Sequence, residues 1–305
     1  VMHSFLSIDV GGTAIKYALL NNAGQITKKD KVPTPTSSLT EFMKSLYAII
    51  DQYQAQISGL AVCVPGKVDP KNEVVVFSDT LPFLKGWDLP KLFKEHYRKI
   101  LPIIVENEGR AAALAESWLG NLHGETDAAA ILLGTDISSG IITNGQLNYG
   151  AHAGAGMLNF VPTNFKAEGT DRLAGFNGSS VKMIQDVIKA SGLPEGADGQ
   201  AAFRMIEAGN PDAAKVFNEY CYQIACLILS MQAIVDLNKV VIGGGISAQP
   251  VLIKTINDQY DQLVDSMPIV KKEMVKPKIE PAKFKNDANL YGALDALLLK
   301  LDEQN

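Results

Sequence analysis

The sequence predicts an α/β protein of two domains, and three observations carry that expectation. At 305 residues the chain is too long for one small core. Short apolar runs of strand length alternate with longer segments whose apolar residues recur at helical spacing. Each half also holds two apolar runs joined by a glycine-rich turn: FLSIDVGGTAIKYALL near the start and DAAAILLG followed by GIITNG near the middle. Hydrophobic residues make up 47% and charged residues 20%, ordinary proportions for a globular protein.

The elements follow in order. FLSIDV reads as a buried strand and AIKYALL as its hairpin partner across the glycine turn; NNAGQI supplies a second turn. LTEFMKSLYAIIDQY has helical periodicity. ISGLAVCVPG reads as a strand ending at Pro65-Gly66, and KILPIIVEN as another. EGRAAALAESWLG is an alanine-rich helix with Asn107 placed as its cap. The pattern breaks at GNLHGET, so a boundary falls near residues 118–126. The second half opens with its own strand pair; residues 164–210 mix helix and loop, with turn signals at SGLPEG and GNP. Asn210 caps a long helix with Pro211 in its first turn. That helix offers an apolar surface that suits either a subunit contact or a core. NKVVIGGGIS returns as a strand and glycine turn, and NLYGALDALLLKLDEQN closes as an amphipathic helix. The expected domains are 1–120, joined by the helix 290–305 packing back on it, and 121–289. The repetition between halves is one of layout, not of residues.

Composition narrows the function. A net charge of -5 argues against a nucleic-acid binder, which shows a basic face. The apolar runs are far short of a membrane span, and Asp9 interrupts the first of them, so no signal-peptide pattern is expected. Val1 before Met2 reads as a trimmed or altered start. Cys63, Cys221 and Cys226 form no CxxC pair; an odd count in apolar segments suits reduced, buried thiols and a cytoplasmic location.

Four constellations carry chemistry. In IDVGGTAIK, Gly11 and Gly12 let backbone amides approach a phosphate, Thr13 adds a hydroxyl, Lys16 adds a cation, and Asp9 stands where a carboxylate holds hydrated Mg²⁺. The same residues also suit a plain hairpin with a buried Asp. In LLGTDISSG, Gly134, Thr135 and Ser138 suit the outer phosphates, or a bend between strands. Gly243, Gly244 and Gly245 at a strand end allow close approach of adenosine and the α-phosphate, or a tight strand-to-helix turn. In IIVENEGRAAALAE, Asn107 and Glu108 sit where a strand meets a helix N-terminus. The helix dipole favours a negative charge there, which suits Glu108 as a proton acceptor from a hydroxyl, although Asn caps with a first-turn Glu are common in helices generally. Taken in order, two glycine hairpins, a polar corner and a third glycine turn are the parts that phosphoryl transfer in a closable cleft requires.

With these residues in view the sequence resembles the ROK family of repressors, uncharacterised proteins and sugar kinases over nearly its whole length. IDVGGTAIKYALL is similar to the family's first phosphate motif, VPGKVDPKNEVVVFSDTLPFLKGWDL to its sugar-side segment and VENEGRAAALAE to its catalytic corner. DLNKVVIGGGIS and NDANLYGAL resemble its C-terminal motifs. The resemblance implies two actin-like (ribonuclease H-like) domains with a central interdomain cleft. It implies transfer of the γ-phosphoryl of Mg-ATP to a hydroxyl of a hexose or hexose derivative, as in a glucokinase, and a homodimer. By resemblance Asp9, Gly11, Gly12, Thr13, Lys16, Gly134 and Thr135 face the phosphates, with Asp9 reaching Mg²⁺ through water. Gly244 and Gly245 face the nucleoside; Pro65, Gly66, Asn107 and Glu108 face the sugar, and Glu108 stands at the position of the base.

Four departures from the family pattern stand out. The run Asn107-Glu108-Gly109-Arg110 replaces Asn-Asp-Ala-Asn. Glu reaches about 1 Å farther than Asp, a displacement worth on the order of 100-fold in rate. Asp136 replaces the last glycine of Gly-Thr-Gly, where a carboxylate repels phosphate oxygens unless a cation intervenes. Met157-Leu158-Asn159-Phe160 stands in place of Glu-x-Gly-His, and NFKAEGTDRLAGFNG in place of a Cys-rich zinc motif, so no zinc site is expected and His152 reads as a loop residue. Asn159, Glu168 or Asp171 would have to supply the missing hydroxyl contacts. The alternative to an active kinase is a catalytically impaired family member that binds sugar or nucleotide and regulates. A repressor is disfavoured, because Asp9 leaves no room ahead of it for a helix-turn-helix domain.

Overall fold

The computed structural model describes residues 3–304; the reading of Val1 and Met2 lies outside them. The described residues divide into two compact units: 3–119, 147–155 and 287–304 form one, 120–146 and 156–286 the other.

The first unit is built on a five-stranded sheet of order β3-β2-β1-β4-β7. β1 (Ser4–Val10), β2 (Ala14–Asn21) and β3 (Ile26–Pro33) form an antiparallel meander, and β4 (Ile57–Val64) and β7 (Ile103–Asn107) continue parallel to β1. β5 (Lys67–Asp69) and β6 (Val74–Phe77) make a separate hairpin. β1 and β4 are apolar on both faces because helices cover both. On one face α1 (Leu39–Asp51) and α2 (Leu89–Tyr97) pack Phe42, Leu46, Ile50 and Phe93 on Leu6, Ile8 and Val62. On the other, α10 (Ala288–Glu303) sets Leu290, Leu294 and Leu297 against Phe5, Ala61, Cys63 and Ala111 of α3 (Glu108–Leu119). β3 is the exposed edge, and Lys28, Lys29 and Lys31 keep it from pairing with another chain.

The second unit repeats the plan. Its sheet has the order β10-β9-β8-β11-β12, from β8 (Ala128–Leu133), β9 (Ile137–Thr143), β10 (Gln146–Leu147), β11 (Lys239–Gly243) and β12 (Lys278–Pro281). β8 and β9 pair antiparallel; β11 runs parallel to β8 and β12. The helices are α4 (Ala174–Asn177), α5 (Ser180–Ala190), α6 (Gly199–Glu207), α7 (Pro211–Val235), α8 (Pro250–Asp265) and α9 (Pro268–Glu273). Asn210 caps α7 by accepting the N–H groups of Asp212 and Ala213, as the sequence predicts. The apolar stripe of α7 is core: Phe217, Tyr220, Ile224, Leu227, Ile228 and Met231 are buried with Ile131 and Ile242. Cys63 and Cys221 are buried thiols; Cys226 is only half-buried. Among the described residues, no helix is long and apolar enough to cross a membrane.

Candidate active site

Within the first unit, β1, β4 and β7 end at the same edge of the sheet. Asp9 pairs in register with Cys63, Cys63 with Glu106, and Val64 with Asn107. The segments that follow these strands therefore leave side by side: Gly11 to Thr13, Pro65-Gly66, and Asn107-Glu108. The carboxyl end of parallel strands is where open α/β sheets place their ligands.

The first loop is a tight turn held from within. The Gly11 N–H donates to the Ala14 carbonyl at 3.0 Å, and the Thr34 N–H to the Thr13 carbonyl at 2.9 Å. The Thr34 hydroxyl donates to the Gly11 carbonyl at 2.7 Å. Gly12 and Thr13 stay exposed. A Cβ on Gly12 would come within 2.8 Å of the Thr80 methyl, so this glycine also has a packing reason. Asp9 is 4% exposed. Lys16 lies 3.0 Å from its Oδ2, and Asn289 donates to its Oδ1 at 3.1 Å. Burial raises the Asp9 carboxyl above its ordinary range, and Lys16 pulls the other way.

The second and third loops are tied together. Gly66 has φ +106°, and a Cβ there would sit 2.1 Å from the Phe77 carbonyl, so only glycine fits. Its carbonyl accepts from the Asn107 side-chain amide. Asn107 Oδ1 in turn accepts the N–H groups of Gly109 at 2.9 Å and Arg110 at 3.3 Å, the capping geometry expected from the sequence. Glu108 opens α3 at the positive end of the helix. Beneath this edge the Cys63 thiol is pushed well above its ordinary range by burial and then by the charges of Asp9, Glu108 and Glu106. Carboxylates thus gather around one strand end, and the thiol beneath them is inert.

A buried polar network under Asn107 was missed from the sequence. Glu106 is 2% and Arg110 3% exposed. Glu106 Oε1 accepts the Asn107 N–H at 2.7 Å, and Oε2 accepts the Tyr149 hydroxyl at 2.7 Å. Arg110 stands 3.7 Å from Glu106 Oε1 and lies over the Tyr149 ring at 4.9 Å. It donates to the carbonyls of Ala153 at 2.6 Å and Val68 at 3.3 Å. Burial raises the Glu106 carboxyl, against the pull of Arg110. One signal was available: Glu106 and Arg110 are four residues apart in a segment otherwise apolar enough to be core. Nothing in the sequence pointed to Tyr149, which meets them through tertiary folding.

In the second unit, Gly134 and Thr135 form the tip between β8 and β9, with Thr135 exposed and Ser138 half-buried on β9. The Gly134 carbonyl accepts from the Ser180 N–H at 2.9 Å and from its hydroxyl at 3.1 Å, which fixes the tip to the start of α5. The Asp136 carboxylate is occupied: Oδ1 accepts the Ile137 N–H at 2.7 Å and Oδ2 accepts from Asn159 at 3.2 Å. A Cβ on Gly175 would lie 2.2 Å from Asp136 Oδ1, so a glycine there makes room for the carboxylate. After β11, Gly244 has φ +94° and would strike the Leu133 carbonyl, and Gly243 would strike Leu132. Two of the three glycines thus have internal reasons; Gly245 faces open space. Asn159 is engaged with Asp136, whereas Glu168 and Asp171 are exposed on a short 3₁₀ turn, and Phe160 is 53% exposed. His152 is exposed in the 147–155 segment of the first unit. Among the described residues, no three His, Cys, Asp or Glu side chains converge as a metal site.

Comparison with known proteins places this arrangement. A family model described as the ROK family matches residues 5–300. A glucokinase of Halalkalibacterium halodurans is 26% identical over 285 residues, covering 84% of this chain and 85% of that one. A beta-glucoside kinase of Listeria innocua is 24% identical over 293 residues, covering 94% and 95%. The crystal structure of a ROK family protein from Streptococcus pneumoniae TIGR4 in complex with sucrose superposes with a TM-score of 0.86 at 28% identity, covering 98% of this chain and 99% of that one. With two five-stranded sheets of matching order and a family match over nearly its full length, the chain belongs to the ROK family.

Proposed function

We propose that the chain is an ATP-dependent carbohydrate kinase that transfers the γ-phosphoryl group of Mg-ATP to a hydroxyl of a hexose or hexose derivative. The observation that carries this reading is the shared sheet edge from which the Asp9–Thr13 turn, the Pro65-Gly66 bend and the Asn107-Glu108 corner all emerge. Relatives that match over most of their length and are named as sugar kinases support it.

In this reading the amides of Gly11 and Gly12, the Thr13 hydroxyl and Lys16 bind phosphate oxygens. Gly134 and Thr135 do the same from the second unit, and Gly244 and Gly245 bind the nucleoside. Pro65, Gly66 and Asn107 hold the sugar. Glu108 orients the acceptor hydroxyl and takes its proton as the oxygen attacks in line. Both Asp9 oxygens already have partners, Lys16 and Asn289, so Asp9 would hold a Mg²⁺ through water and not directly. Mg²⁺, when bound, neutralises charge developing on the phosphates. Ile137 and Asn159 hold the Asp136 carboxylate but leave its charge in place, so a cation has to stand between it and the phosphate oxygens. The relatives are named for different sugars (glucose, a beta-glucoside, N-acetylmannosamine), so the reading stays at a hexose or hexose derivative. We read the protein as a cytoplasmic homodimer.

An ADP-release screen with Mg-ATP over glucose, methyl beta-glucoside, mannose, fructose and N-acetylmannosamine tests the assignment, with the product located by NMR. Sugar-dependent ADP release is expected. One observation favours a second reading, a regulator that binds sugar or nucleotide without turnover: Met157 and the exposed Phe160 stand where the resemblance leads one to expect Glu and His. Silence across the panel, with sugar binding retained by calorimetry, would establish that alternative.

A further inference from the structure

The segment Leu147–Ala155 lies between two stretches of the second unit in sequence, yet it belongs to the first unit. A buried arginine and a half-buried tyrosine fasten it there. Tyr149 donates its hydroxyl to Glu106 Oε2 at 2.7 Å, and Arg110 donates to the Ala153 carbonyl at 2.6 Å while its guanidinium covers the Tyr149 ring. Ala153 is held at φ +53°, a left-handed conformation that a non-glycine residue adopts only when its surroundings impose it. From this anchor a continuous chain of hydrogen bonds runs to the Asn107-Glu108 corner. Glu106 holds the Asn107 N–H, and Asn107 holds the Gly66 carbonyl and the Gly109 and Arg110 amides.

A buried arginine and glutamate are costly to desolvate and are kept only when every polar atom has work. Here the pair fixes backbone: the carbonyls of Val68 in β5 and of Ala153 on the arginine side, and the amide of Asn107 on the glutamate side. The Tyr149 phenol adds a donor that a phenylalanine of the same shape would lack.

We propose that Arg110 and Tyr149 are positioning residues, which dock the 147–155 segment onto α3 and through Glu106 set the orientation of Asn107 and Glu108. The proposal rests on the kinase reading only for its kinetic consequence; the coupling itself is a property of the first unit.

The test uses the full chain with Tyr149→Phe, which keeps the ring, and Arg110→Lys, which keeps the charge but loses the planar fork. Hydrogen exchange, read with no ligand present, should show the Gly109 and Arg110 amides exchanging at least about tenfold faster in both variants, because a buried carboxylate or loop carbonyl loses its partner. Amides of α1, on the far side of the sheet, should be unchanged. With a phosphorylated sugar, kcat should fall about tenfold or more while KM for ATP stays put, since the defect lies at the acceptor corner. Unchanged protection at Gly109 and Arg110 overturns the proposal, as does a uniform rise in exchange through the whole first unit, which would mark a merely structural role. Absence of sugar phosphorylation in the wild type sinks the kinase reading and leaves the exchange result to decide this one.

Discussion

Asp136 and Asn159 both depart from the pattern of the family, and they touch each other. Asn159 stands where the resemblance leads one to expect a glycine, and its amide donates to the carboxylate of Asp136, which also replaces a glycine. Gly175 leaves space for that carboxylate. These are one change in two places, so their effects are not additive. Asp136→Gly and Asn159→Gly should each cost about 1 kcal/mol of stability, and the double variant should cost clearly less than the sum, a coupling on the order of 0.5 kcal/mol or more. Urea titrations of the four proteins measure it. At the acceptor corner, Glu108→Gln keeps the shape and removes the proton acceptor. Sugar phosphorylation should fall by about 10² to 10⁴-fold with the melting temperature nearly unchanged. Steady-state rates with the best sugar from the screen settle the role, and full activity in Glu108→Gln would remove it from catalysis. Residue identity was legible where a motif carried it, as with the Asn107 cap and the Asp9 turn. It was not legible for Arg110, whose partners Tyr149 and Ala153 lie about 40 residues away in sequence, because single-sequence patterns report neighbours within a helix or strand and not those made by folding.

At the scale of elements, the contact between α3 and α10 is set by the smallest side chains. A Cβ on Gly292 would lie 1.6 Å from the Ala111 carbonyl, so the helices cross with backbones nearly touching. Gly292→Ala must push the helices apart and lose the packing of Leu290, Leu294 and Leu297 on Cys63 and Phe5. The expected loss is about 3 kcal/mol or more, read from denaturant midpoints, against the roughly 1 kcal/mol that Gly→Ala gains in an open helix. This is the close-contact counterpart of the alanine-rich sequence of α3, which reads as a helix but does not say what its small residues face. The strands and long helices were legible because their periodicity and caps are local: β1 and β2 from the glycine hairpin, α1 from its apolar spacing, α7 from Asn210-Pro211. The hairpin of β5 and β6, and the helices α2, α8 and α9, gave weaker local signals. The turn between β5 and β6 carries Asp69, Pro70 and Asn72, with Asp69 accepting the Lys71 N–H, but its left-handed residue is Glu73 at φ +58°, neither glycine nor asparagine.

At the scale of the whole chain, the matching order of the two sheets explains why the sequence showed a repeated layout without repeated residues: the plan needs a glycine turn and alternating burial, and many side chains satisfy that. Within the first unit one carboxyl has a consequence for pH. Burial pushes Asp295 of α10 up to about 7 from 3.8. A carboxyl raised in the folded state binds more protons there than in the unfolded chain between those values, so stability falls as pH rises from about 4 to about 7. At 1.36 kcal/mol per unit the ceiling is about 4 kcal/mol, and its partial exposure reduces the effect to on the order of 2 kcal/mol. Asp295→Asn should therefore be more stable than the wild type at pH 8 and lose that advantage at pH 4, as melting curves across pH would show. Equal differences at both pH values would mean that Asp295 is solvated in the folded protein.

The placement of α10 carries a consequence for biosynthesis. Ser7 of β1 donates to the Leu290 carbonyl, and Phe5, Ala61 and Cys63 have their cover only once Leu290, Leu294 and Leu297 arrive. A ribosome emits those residues after every strand of the second unit. The first unit is thus completed only after the second has been made, and while translation proceeds at about 5–20 residues per second one face of its central sheet stays open.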